Sequence, residues 1–175
     1  MKITITYFEP FGGRSFNASK ATVMGLDIDA DKIGLPVSWN DIDSRLDEIF
    51  IDKPDYLFLL GEAGSITEPR LELEAHNISK GKDNKGVERN SEKIINDGLD
   101  TLNTTFISDD MFMISYDAGQ YLCNCSYYLA LSKAKESKVI FIHVPAFNET
   151  DEENKNHCVE VVSEMVKHLI ELNNK

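Results

Sequence analysis

Apolar and polar positions along the chain alternate between two periods. Lys2 to Phe8 contains the β-branched run Ile3-Thr4-Ile5-Thr6 and stops at Pro10 and the Gly12-Gly13 pair, which predicts a strand with a tight exit loop. Asn17 or Ser19 then caps a predicted helix reaching about Leu26, and Asp41 or Asp43 caps another whose Ile42, Leu46, Ile49 and Phe50 share a face. Tyr56-Leu57-Phe58-Leu59-Leu60, closed by Gly61, is continuously apolar, as a strand covered on both faces must be. Phe112-Met113-Ile114 and Val139-Ile140-Phe141-Ile142 repeat that signal. Helices are predicted over residues 120–135 and 152–172, the second with the stripe Val159, Val162, Met165, Val166 and Leu169. Strand and helix therefore alternate, the pattern of an α/β sheet with helices on both faces.

Between Ser79 and Asn90 the chain is polar, without a period, and reads as a surface loop or flap. No repeat or low-complexity linker divides the sequence, so one domain spanning residues 1–175 is expected. Composition narrows the partners. A net charge of -12 repels phosphate backbones and anionic lipid surfaces, which argues against nucleic-acid and membrane binding. No stretch has the length of a membrane span or the pattern of an export signal. The cysteines number three, and Cys123 and Cys125 are too close to pair with each other. A cytoplasmic location is the expectation.

The chemistry-bearing candidates lie near element boundaries. Cys123 falls at a predicted helix start just after Gly119, where free amides and the helix dipole favour a thiolate; a small buried hydrophobe is the plainer reading. Cys125, two residues on, faces elsewhere and reads as core. Zinc is a poor fit to Cys123, Cys125 and His143, because no second ligand pair with metal spacing exists. His143 closes an apolar strand, the end where catalytic groups of open α/β sheets collect, although a core histidine fits the same pattern. His76, His157 and His168 have less support. Composition does not choose an orienting carboxylate among Glu62, Glu68, Glu72 and Glu74. The turn Phe8-Glu9-Pro10-Phe11-Gly12-Gly13 offers two rings suited to a small flat ligand, or to a core and a turn.

In order along the chain, Phe8-Glu9-Pro10-Phe11-Gly12-Gly13, Tyr121-Leu122-Cys123-Asn124 and Phe141-Ile142-His143-Val144-Pro145 resemble the motifs of the pyroglutamyl-peptidase I (pyrrolidone-carboxyl peptidase) family of cysteine peptidases. Asn17 and the approach Ser115-Tyr116-Asp117-Ala118-Gly119 resemble it too. The resemblance implies a three-layer α/β/α sandwich with a mixed, mostly parallel sheet and removal of amino-terminal pyroglutamate from peptides without metal or organic cofactor. It also implies a homodimer or homotetramer. The family's Cys-His-Glu arrangement maps onto Cys123, His143 and, counted from Gly61, Glu72, with Asn77 following. Phe8 and Phe11 would enclose the lactam.

This chain departs from the family in three places. The family's arginine after the glutamate is absent, Lys80 being the nearest basic residue. The stretch from Val87 to Met111 is shortened. Glu62 stands where an uncharged residue is usual, and a carboxylate facing a neutral lactam carries a desolvation cost. These departures raise an alternative: a catalytically impaired homologue that binds pyroglutamyl or related small peptides. A nucleotide-binding module built on Gly12-Gly13 lacks any phosphate-loop fingerprint.

Overall fold

The computed structural model describes residues 1–174. Its centre is a sheet of β1 (Ile3–Phe8), β2 (Asp31–Leu35), β3 (Tyr56–Ala63), β4 (Arg70–Glu72), β9 (Ile114–Ser115) and β10 (Lys138–Pro145), in the order β2-β1-β3-β10-β4-β9. The first four of these run parallel, β4 is antiparallel to β10, and β9 is parallel to β4. A mixed, mostly parallel sheet results, in one α/β fold.

Successive strand residues point to opposite faces, so each apolar run feeds two cores. Phe58, Leu60, Ile140 and Ile142 pack beneath α1 (Ala18–Gly25) and α4 (Glu152–Asn173). Leu57, Leu59, Val139 and Phe141 pack beneath α2 (Ile42–Ile51) and α3 (Leu122–Lys133). Asn17 caps α1 by accepting from the Ser19 amide, and Asp151 caps α4 through the Asn154 amide, each satisfying a donor the helix leaves unpaired. Asp41 occupies the cap position of α2 without a side-chain bond.

The segment expected as a loop from Ser79 to Asn90 is an antiparallel hairpin, β6 (Ser79–Lys82) with β7 (Glu88–Glu92). Its order comes from one of its own carboxylates and from Trp39, distant in sequence. The buried Asp83 carboxylate accepts from the amides of Trp39, Lys85 and Val87, the Trp39 indole donates to the Gly81 carbonyl, and the Arg89 guanidinium stacks on the indole. A second ribbon, β5 (Glu74–His76) with β8 (Thr101–Asn103), was also not predicted. At Phe112-Met113-Ile114 the expected strand shrinks to Ile114–Ser115, because this edge has a partner on one side only and Met113 stays exposed. Among the described residues no helix is long and apolar enough to cross a membrane.

Candidate active site

Register brings four residues to the α3 face of the sheet. His143 is two residues beyond Phe141 on β10, so it points to the same side, and its partner on β3 is Gly61. Across the other edge of β10, Phe141 pairs with Glu72 and His143 with Arg70. Gly61, Glu72, His143 and Arg70 thus converge under the first turn of α3, which carries Cys123.

The His143 Nδ1 lies 2.7 Å from Glu72 Oε1, with the Glu72 side chain fully buried. A carboxylate accepts only, so Nδ1 carries the proton and Nε2 is left as the basic nitrogen. The Arg70 Nε–H donates to the same oxygen at 2.8 Å. The Tyr127 hydroxyl donates to the Glu72 backbone carbonyl, fixing β4 against α3. Burial acts to raise the Glu72 pKa, but the hydrogen bond from His143, the nearby Ser115 hydroxyl, and the charges of His143 and Arg70 together hold it below the usual carboxylate value.

Gly119, at φ +82°, turns the chain into α3, and Tyr121 takes the cap position without a side-chain bond. The first helical bond runs from the Cys125 amide to the Tyr121 carbonyl, so the amides of residues 122–124 precede the helical ladder. Asn124 anchors this start: it accepts from the His76 amide and donates to the His76 and Ile78 carbonyls. The Lys80 amide also donates to the Gln120 carbonyl, while its side chain is exposed on β6.

The Cys123 sulfur rests on Gly61. A Cβ there would lie 2.6 Å from Sγ and 2.7 Å from the Phe141 ring, so only glycine allows the approach. Gly61→Ala is expected to cost about 1–3 kcal/mol and to lower turnover at least tenfold by displacing the thiol; a melting curve and single-substrate kinetics check both. Contrary to the thiolate expected at a helix start, burial, followed by the Glu72 and Glu62 carboxylates, pushes the Cys123 thiol up to about 12. At neutral pH the sulfur holds its proton.

A pocket of about 320 Å³ opens over these groups, walled by Phe8, Phe11, Val37, Tyr121, Cys123 and His143. Phe8 is buried, Phe11 is half-buried, and the Phe11 and Tyr121 rings pack tilted at 6.2 Å. Glu62 also lines the pocket, but its charge does not face the space unpaired. Its oxygens take the Arg14 guanidinium at 2.5 Å and the Ala18 amide, at the start of α1, at 2.7 Å. The expected desolvation cost is thereby offset.

The remaining candidates lie elsewhere. Cys125 and Cys158 are free and buried in the core. His76 meets Thr101 Oγ1 and the Tyr116 carbonyl, with Glu74 beside it; His157 pairs with Glu68, and His168 with Asp109. Asn77 ties down the 94–98 loop through the amides of Ile94 and Ile95 and the carbonyl of Ile95. Among the described residues no group of three or more His, Cys, Asp or Glu could hold a metal ion. Arg70 and the Arg14–Glu62 pair escaped the sequence reading, because isolated arginines in polar segments carry no signal until strand register is known.

The model of the pyroglutamyl peptidase family matches residues 1–173. The pyrrolidone-carboxylate peptidase of Thermococcus onnurineus is 31% identical over 171 residues, covering 85% of this chain and 86% of its own length. Human pyroglutamyl-peptidase 1 is 30% identical over 165 residues, covering 82% of this chain and 78% of its own. The crystal structure of pyrrolidone carboxyl peptidase from Thermus thermophilus superposes with a TM-score of 0.83 at 26% identity, covering 97% of this chain and 99% of that one. The enzyme from Fervidobacterium islandicum gives 0.79 at 28% identity, over 97% and 100% of the two chains. Sequence and fold agree along nearly the whole length: the chain belongs to the pyroglutamyl peptidase family, and is a hydrolase of the cysteine-type omega-peptidase class.

Proposed function

We infer that the protein hydrolyses the bond after an amino-terminal pyroglutamate in peptides, with Cys123 as nucleophile, His143 as base and Glu72 as the carboxylate that orients the imidazole. The observation that carries this reading is the buried 2.7 Å contact between His143 Nδ1 and Glu72 in the pocket that also holds Cys123.

The thiol, kept protonated by burial and the two carboxylates, gives its proton to His143 Nε2 as Sγ attacks the pyroglutamyl carbonyl carbon. The imidazolium that forms is stabilised by Glu72. The oxyanion lies within reach of the free amides at the start of α3, where the helix dipole favours negative charge. Collapse breaks the carbon–nitrogen bond, and His143 returns the proton to the leaving amine. Water, deprotonated by the same nitrogen, then cleaves the thioester and releases pyroglutamic acid and the free thiol. Each step uses side chains and amides of this chain.

Phe8 and Phe11 support a neutral, flat lactam as the bound group, since an apolar wall favours a ring without a charged amine. Phe11→Ala is expected to raise KM for a pyroglutamyl amide roughly tenfold with kcat little changed, because about 1.4 kcal/mol of ring contact is lost in ground and transition state alike. Steady-state kinetics separate the two parameters. Release of a fluorescent amine from a pyroglutamyl amide in reducing buffer tests the activity itself. Folded protein that binds the amide without cleaving it would instead be the impaired homologue. By the same family reading the chain forms a homodimer or homotetramer, measured by light scattering.

A further inference from the structure

Arg70 is the one cation in direct contact with the Cys123–His143–Glu72 constellation among the described residues. Its Nε–H and the His143 Nδ1 bond to the same Glu72 oxygen, at 2.8 and 2.7 Å, while the second oxygen, Oε2, is buried without a hydrogen bond. Two donors on one oxygen define the carboxylate rotamer more tightly than either alone. Arg70 is also the register partner of His143 on the neighbouring strand, and its Nη2 reaches 3.4 Å toward the Asp117 carbonyl in the loop that leads into the nucleophile's helix. Its side chain is partly exposed at the pocket wall, so the guanidinium links β4, β10 and the approach to Cys123 from the solvent side.

We propose that Arg70 is a positioning residue: it locks Glu72 in the rotamer that faces His143 and, by its fixed positive charge, keeps the imidazole neutral and ready to take the thiol proton. The proposal rests on the catalytic roles inferred above. A buried carboxylate with no cation but the imidazole would pull His143 toward its protonated form, and a protonated base cannot accept from Cys123. Arg70 divides that negative charge between two partners. The other titratable groups facing this pair are Cys123 and Tyr127 on α3, both protonated at neutral pH, Glu62 on β3, already met by Arg14, and Asp117 at the pocket rim.

The test compares the parent with Arg70→Met, Arg70→Gln and Arg70→Lys, reading kcat/KM against pH on two substrates: a pyroglutamyl amide with a neutral leaving group, and a pyroglutamyl dipeptide with a free carboxylate. Circular dichroism confirms folding, and the two neutral variants give independent routes should one fail to fold. The expected result is an acid limb moved up by roughly one pH unit in Arg70→Met and Arg70→Gln, the size of one nearby charge. Arg70→Lys, which keeps the charge, should stay near the parent, and KM should change alike for both substrates. An acid limb unmoved in the folded neutral variants overturns the proposal. So does a KM rise confined to the dipeptide, which would make Arg70 a ligand for the leaving peptide's carboxylate. An inactive parent would instead refute the catalytic reading itself, so the two failures are distinguishable.

Discussion

Cys123→Ala is expected to lower cleavage of a pyroglutamyl amide by at least about 10⁴-fold, with fold and melting temperature close to the parent's. The change removes the only cysteine sulfur in the pocket, since Cys125 and Cys158 each show 1% exposure and lie in the two cores. Losing one half-buried sulfur leaves the core packing intact, so a large kinetic effect with a small thermal one is the signature of a nucleophile rather than a structural thiol. Alkylation gives an independent measure. Iodoacetamide should add a single group to the folded parent and abolish activity in proportion, faster as pH rises, because the thiol is held up to about 12 and only its anion reacts. A folded Cys123→Ala protein that turns over substrate at the parental rate would sink the assignment.

Glu72→Gln is the second large effect, with an expected loss of about 10³–10⁴ in kcat. The amide has the carboxylate's shape but presents N–H groups, so it can favour the wrong imidazole tautomer, in which Nε2 carries the proton and cannot take another from sulfur. The imidazolium formed during attack also loses its counter-charge. Arg70, 2.8 Å away, is left with no anionic partner, and this predicts a lower melting temperature at neutral pH. The pH dependence has a definite sign. Glu72 titrates below its usual value when folded, so its stabilising contribution is present above the unfolded carboxylate pKa of about 4 and fades as pH falls through the folded value. Parent and variant should therefore differ most in melting temperature near neutral pH and converge in acid. A constant gap across that range would show that Glu72 is not ionised in the folded protein.

In sequence, Lys80 is the basic residue nearest to where the family's arginine is expected; in the fold it projects from the hairpin with its backbone amide bonded to Gln120, and the cation that reaches Glu72 is Arg70, which precedes the glutamate. Glu62 shows the same contrast. Alone it is a charge in an apolar pocket; folded, it joins Arg14 to the first turn of α1, and Arg14 in turn covers Phe11 at 4.7 Å.

What the amino-acid order determines by itself is everything carried by short-range periodicity and local caps. The apolar runs around Leu57 and Ile140 become parallel strands, Asn17 caps α1, and the stripe from Val159 to Leu169 buries α4, whereas Cys123, His143 and the aromatic turn stand out only through three short motifs that resemble the family's. Tertiary structure decides what depends on register between distant segments. Carboxylates at 62, 68, 72 and 74 look alike in composition, and in the sequence only the family resemblance singles out Glu72; register then places that residue against Phe141 and so beside His143, on an antiparallel strand three residues long with no period of its own. The 79–92 hairpin likewise owes its order to Trp39, distant in sequence, whose amide and indole meet the hairpin's own Asp83 and Gly81. The state of the thiol follows the same division. A helix start favours the anion locally, but burial beside two carboxylates, assembled from strands far apart in the chain, raises the Cys123 thiol instead.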